Sequence, residues 1–358
     1  MTPNTYHLRG RVLPSSELKD LFVVDGKITF EEQPSSESIV EEGWIVPGLV
    51  DAHAHLALAS PSDANSSHDL VRASARAHLD VGVLLIREPG GPDHASSDIS
   101  IDEELPRVQS AGRFLAPPGG YFPGLAREVP ASQLPQAVSE EAKAGRGWAK
   151  IIGDSYGPMS QIVAHWDRDT LRSAAEAAHK EGARITIHTG LPSVIEDAIM
   201  AGFDCIEHGT GMTPELVSAL VEHAVAWCPT MTINSEVQNI YSSDAGSGKE
   251  VHGWVESQPA LVAAAFDQGV RVLAGTDAGL VPHGIVWREV ANFLAAGVRP
   301  DLALGAASWD ARSYLGHPGL EDGAPADLVV FGDDPRLDAE SLLKPKLIML
   351  EGRLLKRP

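Results

Sequence analysis

Asp51-Ala52-His53-Ala54-His55 closes the apolar run WIVPGLV, so on an extended strand the two imidazoles project from one face. Imidazole is the commonest protein ligand for transition metals, and two rings on one face can share an ion. The plainer alternative is that one ring caps the strand while the other packs. The pattern returns at three further run ends: His188 closes RITIH, His208 closes CIEH and Asp277 closes VLAGTD. For Asp277 the structural alternative is a turn-forming acid ahead of Ala278-Gly279. Lys150, in GWAKIIGD, sets a charge inside an apolar strand. A buried charge must be paired, neutralised or modified, so its simple alternative is an acid partner inside the barrel.

Residues more than two hundred positions apart meet only if the fold gathers strand ends. Apolar runs of four to seven residues alternate with helical patterns, the signature of parallel strands covered by crossover helices. We read strands near 46–53, 83–88, 113–117, 148–153, 184–189, 204–208, 226–230 and 271–277. Eight such units predict an α/β fold, a (β/α)8 TIM barrel whose carboxyl strand ends open on one face. Thr213-Pro214-Glu215 marks a helix start with a capping hydroxyl and a first-turn proline, and a second helix is predicted from Asp169 to Lys180, ending at Gly182. Both termini are β-rich instead. Asp25-Gly26 and Glu351-Gly352 are set as hairpin turns. The predicted division is a small β-sandwich composed of 1–47 plus 324–358, and a barrel over 48–323.

The 358 residues carry a formal net charge of -21, from 28 basic and 49 acidic side chains. With no basic cluster, this opposes binding to nucleic acid. No apolar run is long enough to span a bilayer, and the amino terminus lacks a secretion pattern, so no membrane partner and a cytoplasmic location are expected. Cys205 and Cys228 form no ligand pair and read as small core residues. Apolar helix faces leave room for a homo-oligomer.

PGLVDAHAHL, the strand lysine Lys150, the IHT and IEHGT strand ends, GTDAG and the closing APADLVVFGDDP…LIMLEGRLL together resemble the amidohydrolase superfamily over nearly the whole chain. The likeness is to the imidazolonepropionase-like and metal-dependent prolidase branch. It implies a metal-dependent hydrolase cleaving an amide C–N bond in a small molecule, dipeptide-like or cyclic. It implies two divalent metal ions, zinc or else manganese or cobalt. His53, His55 and Asp277 would surround one, His188 and His208 the other, with a carboxylated Lys150 bridging them. Asp277 would be the catalytic proton shuttle.

Near the predicted strand ends, Arg87 suits a substrate carboxylate, or equally a structural ion pair. Tyr121 suits a developing oxyanion or simple packing. His283 is a further pocket candidate, and His252 falls in a polar stretch where solvation is the plainer reading. Substrate choice is assigned to the loops 56–68, 119–130 and 232–256. The competing functions are a heterocycle deaminase, a lactonase or organophosphate hydrolase, and a barrel that binds without catalysis. The deaminase pattern wants an acid three residues after the third histidine, where this chain has Leu191.

Overall fold

The computed structural model describes residues 5–58, 67–99, 104–156, 161–241 and 246–357. Burial alternates along Tyr6–Val12 (β1), with Leu8 and Val12 inward and Arg9 and Arg11 outward, as a half-solvated strand requires. Glu17–Val24 (β2), Lys27–Thr29 (β3), Glu37–Val40 (β4) and Trp44–Pro47 (β5) follow. The middle of the chain contributes Leu49–Asp51 (β6), Val83–Glu88 (β7), Arg107–Ser110 (β8), Phe114–Ala116 (β9) and Ala126–Glu128 (β10). Trp148–Ile152 (β11), Asp154–Tyr156 (β12), Ile162–Ala164 (β13), Arg184–Thr189 (β14), Cys205–His208 (β15) and Ala226–Cys228 (β16) come next. Leu328–Phe331 (β17), Leu347–Leu350 (β18) and Arg353–Lys356 (β19) end the series.

The strands before residue 48 and after residue 327 share one mixed sheet, in the order β19-β18-β17-β5-β1-β2-β3, with β4 beside β1. Its two expected hairpins form: Asp25 and Gly26 take φ of 50° and 78°, Glu351 and Gly352 take 49° and 76°. The two tips meet so closely that a Cβ on Gly352 would lie 2.3 Å from the Gly26 Cα.

The middle strands form parallel sheets, β6-β7-β8 and β10-β9-β11-β14-β15-β16, in a TIM-barrel-like α/β arrangement. Their strands are buried on both faces, as in β7 and β11, because helices cover the outside. The helix starts behave as read: the Asp167 carboxylate accepts from Thr170 N before Arg168–Lys180, and Thr213 Oγ1 accepts from Leu216 N before Pro214–Glu222.

Two strand expectations need correction. Residues 271–277 form no regular strand, although Leu273 N donates to Trp227 O, and Asp277 N to His53 O. Gly275 packs so tightly that a Cβ there would stand 2.5 Å from Cys228 Sγ and 2.6 Å from His53 Cβ. β8, with sequence RVQS, offers one strongly apolar residue and escaped the periodicity reading. The span 232–256 is not a loop but carries the helices Asn234–Ile240 and Gly248–Asp267. Residues 59–66 of the expected specificity loop 56–68, and 242–245, lie outside the described residues. Among the described residues no helix is long and apolar enough to cross a membrane.

Candidate metal centre

β6 delivers His53 and His55 beyond its carboxyl end, and the irregular segment beside it delivers Asp277. His53 Nε2 lies 3.2 Å from His55 Nε2, and Asp277 Oδ1 lies 3.2 and 3.1 Å from those two nitrogens. The opposite nitrogen of each ring is already engaged. His53 Nδ1 donates to the buried Glu207 carboxylate at 2.7 Å, and His55 Nδ1 donates to Gly90 O at 2.7 Å. In neutral rings those two bonds place the remaining lone pairs on Nε2, both facing Asp277 Oδ1, which is the form in which imidazole binds a metal. A cation would replace any proton these three atoms share, and their separations suit ligands about 2.0–2.2 Å from one ion. His53, His55 and Asp277 therefore fit a metal on their own geometry.

His208, at the end of β15, packs its ring 4.9 Å from that of His53 and 4.6 Å from that of His188 at the end of β14. Thr230 Oγ1 donates to Pro229 O and accepts from His208 Nδ1 at 2.8 Å, which leaves His208 Nε2 unprotonated too. Burial pushes His188 down to about 3 and His208 well below the usual histidine range, so both rings are neutral, as a ligand must be. His208, Asp277 and Thr230 hold φ of 62°, 55° and 48°, a left-handed conformation uncommon outside glycine that the surroundings must stabilise. Lys150 lies buried on β11 with Glu207, Asp277 and Arg87 as its charged surroundings, and burial lowers its pKa.

The framework beneath is fixed by a second set of polar groups. Arg87 Nη1 and Nη2 donate to the two oxygens of Glu207 at 2.5 and 2.8 Å, and Arg87 Nε donates to Ala52 O at 2.6 Å. The guanidinium also lies over the Trp148 ring, 4.8 Å from its centroid. Asp51 accepts from His53 N, Thr276 N and Thr276 Oγ1, tying β6 to the segment that carries Asp277.

Above these groups opens a cavity of about 360 Å³ lined by His55, His188, His208 and Asp277 at its base. Tyr121 lines it as well, its ring 5.8 Å from His188 and 5.7 Å from Phe114. Burial, with Asp277 and Tyr241 nearby, raises the Tyr121 hydroxyl above its ordinary range and keeps it a donor.

Arg87 and His283 do not line this cavity. Arg87 is fully buried beneath it and committed to Glu207, the structural alternative of the sequence reading. His283 Nδ1 instead meets His78 Nε2 at 3.2 Å behind the centre. His78, on the helix His68–Leu79, is completely buried. His252 is helical, and its Nε2 donates to Tyr241 O at 2.8 Å.

Glu207 and Thr230 were passed over by sequence reasoning. For Glu207 a signal existed, because an acid inside the apolar strand CIEH is the same anomaly that exposed Lys150. Thr230 offered none, since its role depends on the turn after β16.

The sequence profile of the amidohydrolase family matches residues 44–355, and the chain belongs to that family. It is thus a hydrolase acting on carbon–nitrogen bonds. An uncharacterized protein of Mycobacterium tuberculosis is 40% identical over 357 residues, covering 97% of this chain and 95% of that one. Among solved structures, a Xaa-Pro dipeptidase with bound methionine superposes with a TM-score of 0.84 at 21% identity, covering 99% of this chain and 100% of that chain. The A. niger ochratoxinase gives 0.83 at 19% identity, covering 99% and 96%. These likenesses share the fold.

Proposed function

We propose that this protein hydrolyses the amide bond of a small molecule at a centre of two divalent ions, zinc or else manganese or cobalt. His53, His55 and Asp277 would hold one ion and His188 and His208 the other, with Lys150 carboxylated between them. Bound there, the ions would lower the pKa of water toward neutrality and polarise the scissile carbonyl. The observation that carries the reading is the convergence of His53 Nε2, His55 Nε2 and Asp277 Oδ1 within about 3.2 Å of one another.

The chain's own groups divide the remaining work. Glu207 and Gly90 O fix the tautomers of His53 and His55, and Thr230 does the same for His208. Asp277, at the base of the cavity, takes the proton of the attacking water and returns it to the departing amine. Tyr121 donates to the carbonyl oxygen as charge gathers on it. A dipeptidase and an ochratoxinase among the proteins of like fold support a small amide as the class of substrate.

Metal analysis of the purified protein, followed by chelation and reloading against a panel of N-acyl amino acids, dipeptides, cyclic amides and lactones, tests the proposal. We expect about two equivalents of divalent metal and amide cleavage that vanishes with chelator and returns with the metal. A metal-free protein whose activity resists chelation would overturn it.

A further inference from the structure

The cavity above the centre has a chemical character of its own. Three groups of side chains supply its wall: Phe114, Phe122 and Leu125 on one side, Ile162 from the β12–β13 hairpin, and Ile233, Val237 and Trp254 from the helices that follow β16. Phe122 and Ile240 at the cavity are 45% and 46% exposed, and large apolar side chains left that open mark a surface meant to be covered. The polar groups on the wall are neutral or already satisfied. Asp154, the carboxylate among them, accepts from Thr189 Oγ1, Gly190 N and Leu191 N. Ser155 and Thr210 are uncharged hydroxyls.

No lysine or arginine lines the cavity. That statement covers the whole chain, because all 28 lysines and arginines fall within the described residues. Arg87, whose side chain had the right chemistry for a carboxylate, spends its guanidinium on Glu207 below the floor. Ions held at the floor as proposed above would be taken up by the scissile carbonyl, so a carboxylate farther along the substrate would face apolar wall and lose its hydration without a partner. The net charge of -21 adds long-range repulsion to any anion approaching the mouth.

We propose that the site selects uncharged amides bearing apolar or aromatic groups on both sides of the scissile bond, and rejects substrates that carry a free α-carboxylate. The inference rests on the hydrolase reading given above and sharpens it, since a dipeptide or N-acyl amino acid ends in the group this wall cannot receive. The helices after β16 set the selection, with Val237 and Trp254 as specificity-determining positions.

A matched pair tests this: N-(2-phenylethyl)benzamide and N-benzoyl-L-phenylalanine share the scissile bond and both rings and differ by one carboxylate. Turnover by the metal-loaded enzyme and binding by calorimetry are measured for both. We expect kcat/KM for the neutral amide to exceed that for the acid by on the order of 100-fold, with a parallel preference in binding. Val237→Arg and, separately, the more exposed Ile240→Arg place a cation on the wall and are expected to narrow that ratio at least about 10-fold.

Equal or better handling of the acid by the unaltered protein overturns the selectivity while leaving the hydrolase reading intact. Tight binding of the neutral amide without cleavage of either compound supports the selectivity and counts against the hydrolase reading. A ratio unmoved in both arginine variants, each shown to be folded by circular dichroism, overturns the assignment to the wall.

Discussion

At and beneath the floor of the cavity His55 and His53 are held by fixed partners on neighbouring elements, with the Gly90 carbonyl behind the first ring and Glu207 behind the second. The wall is made differently. Ile233 meets the cavity from the short 3-10 turn Met231–Ile233, and Val237 and Trp254 from the two helices that follow it, all offering apolar surface. The difference teaches that reaction geometry here is a property of strand ends locked by hydrogen bonds. On the selectivity proposed above, substrate choice would rest on helices that can change residues without disturbing those locks.

The sharpest way to break this division is at the floor. Asp277→Asn should lower kcat by at least about 1000-fold while metal content by mass spectrometry stays close to that of the parent, because the amide keeps an oxygen but cannot take the proton. Full activity in that variant would remove Asp277 from its assigned role.

Next in size is Glu207→Gln, which leaves the Arg87 guanidinium buried without its counter-charge. A loss of about 3–5 kcal/mol in unfolding free energy is expected, with metal affinity about 10–100-fold weaker. Denaturant melts with and without metal separate the two effects. Adding Arg87→Met should recover stability but not metal affinity, since His53 would still lack its carboxylate.

A third measurement concerns the support of the wall. Glu289, buried on the helix Val286–Ala295, accepts from Met231 N, Thr232 N and Thr232 Oγ1, and burial pushes its carboxyl up to about 7. The folded protein therefore binds this proton more tightly than the unfolded chain does. Stability from this group is complete below about pH 4.5 and declines as the pH rises to about 7, by about 1–3 kcal/mol. Glu289→Gln should flatten that slope in melts across the range; a slope unchanged in the variant would assign it elsewhere.

The smallest effect belongs to the wall surface. Trp254→Ala should raise KM for an apolar amide about 10-fold and leave kcat within about 3-fold, since it removes contacts made equally in ground and transition states. A kcat collapse instead would show that the wall shapes the reaction itself.

Much of the floor could be read before any coordinates, because strand period and strand ends are local properties. His53 and His55 two apart, and His188, His208 and Asp277 each closing an apolar run, needed no tertiary knowledge beyond the convergence of strand ends. Arg87 was harder. In the run VLLIRE a side chain points either up toward the mouth or down into the packed interior, and only Glu207 on β15, 120 positions later, decides it.

His78 was legible in principle. Val71, Ala75, His78 and Leu79 share one helical face, and all are buried. The helices of 232–256 hid behind polar residues and glycines, and Pro259 sits inside the longer one, so the segment looked like a loop. The apolar wall was therefore the part of the site least visible in the sequence.

The meeting of the Gly26 and Gly352 hairpin tips joins segments separated by the whole run of parallel strands. β1 finds its neighbours β2, β4 and β5 before residue 48, but β5 takes its other neighbour, β17, from beyond residue 327, so that one edge stays open while the intervening units are made. Until β17 pairs with it, the β5 edge is the stretch of this sheet open to mispairing, and a chaperone that shields strand edges would act there.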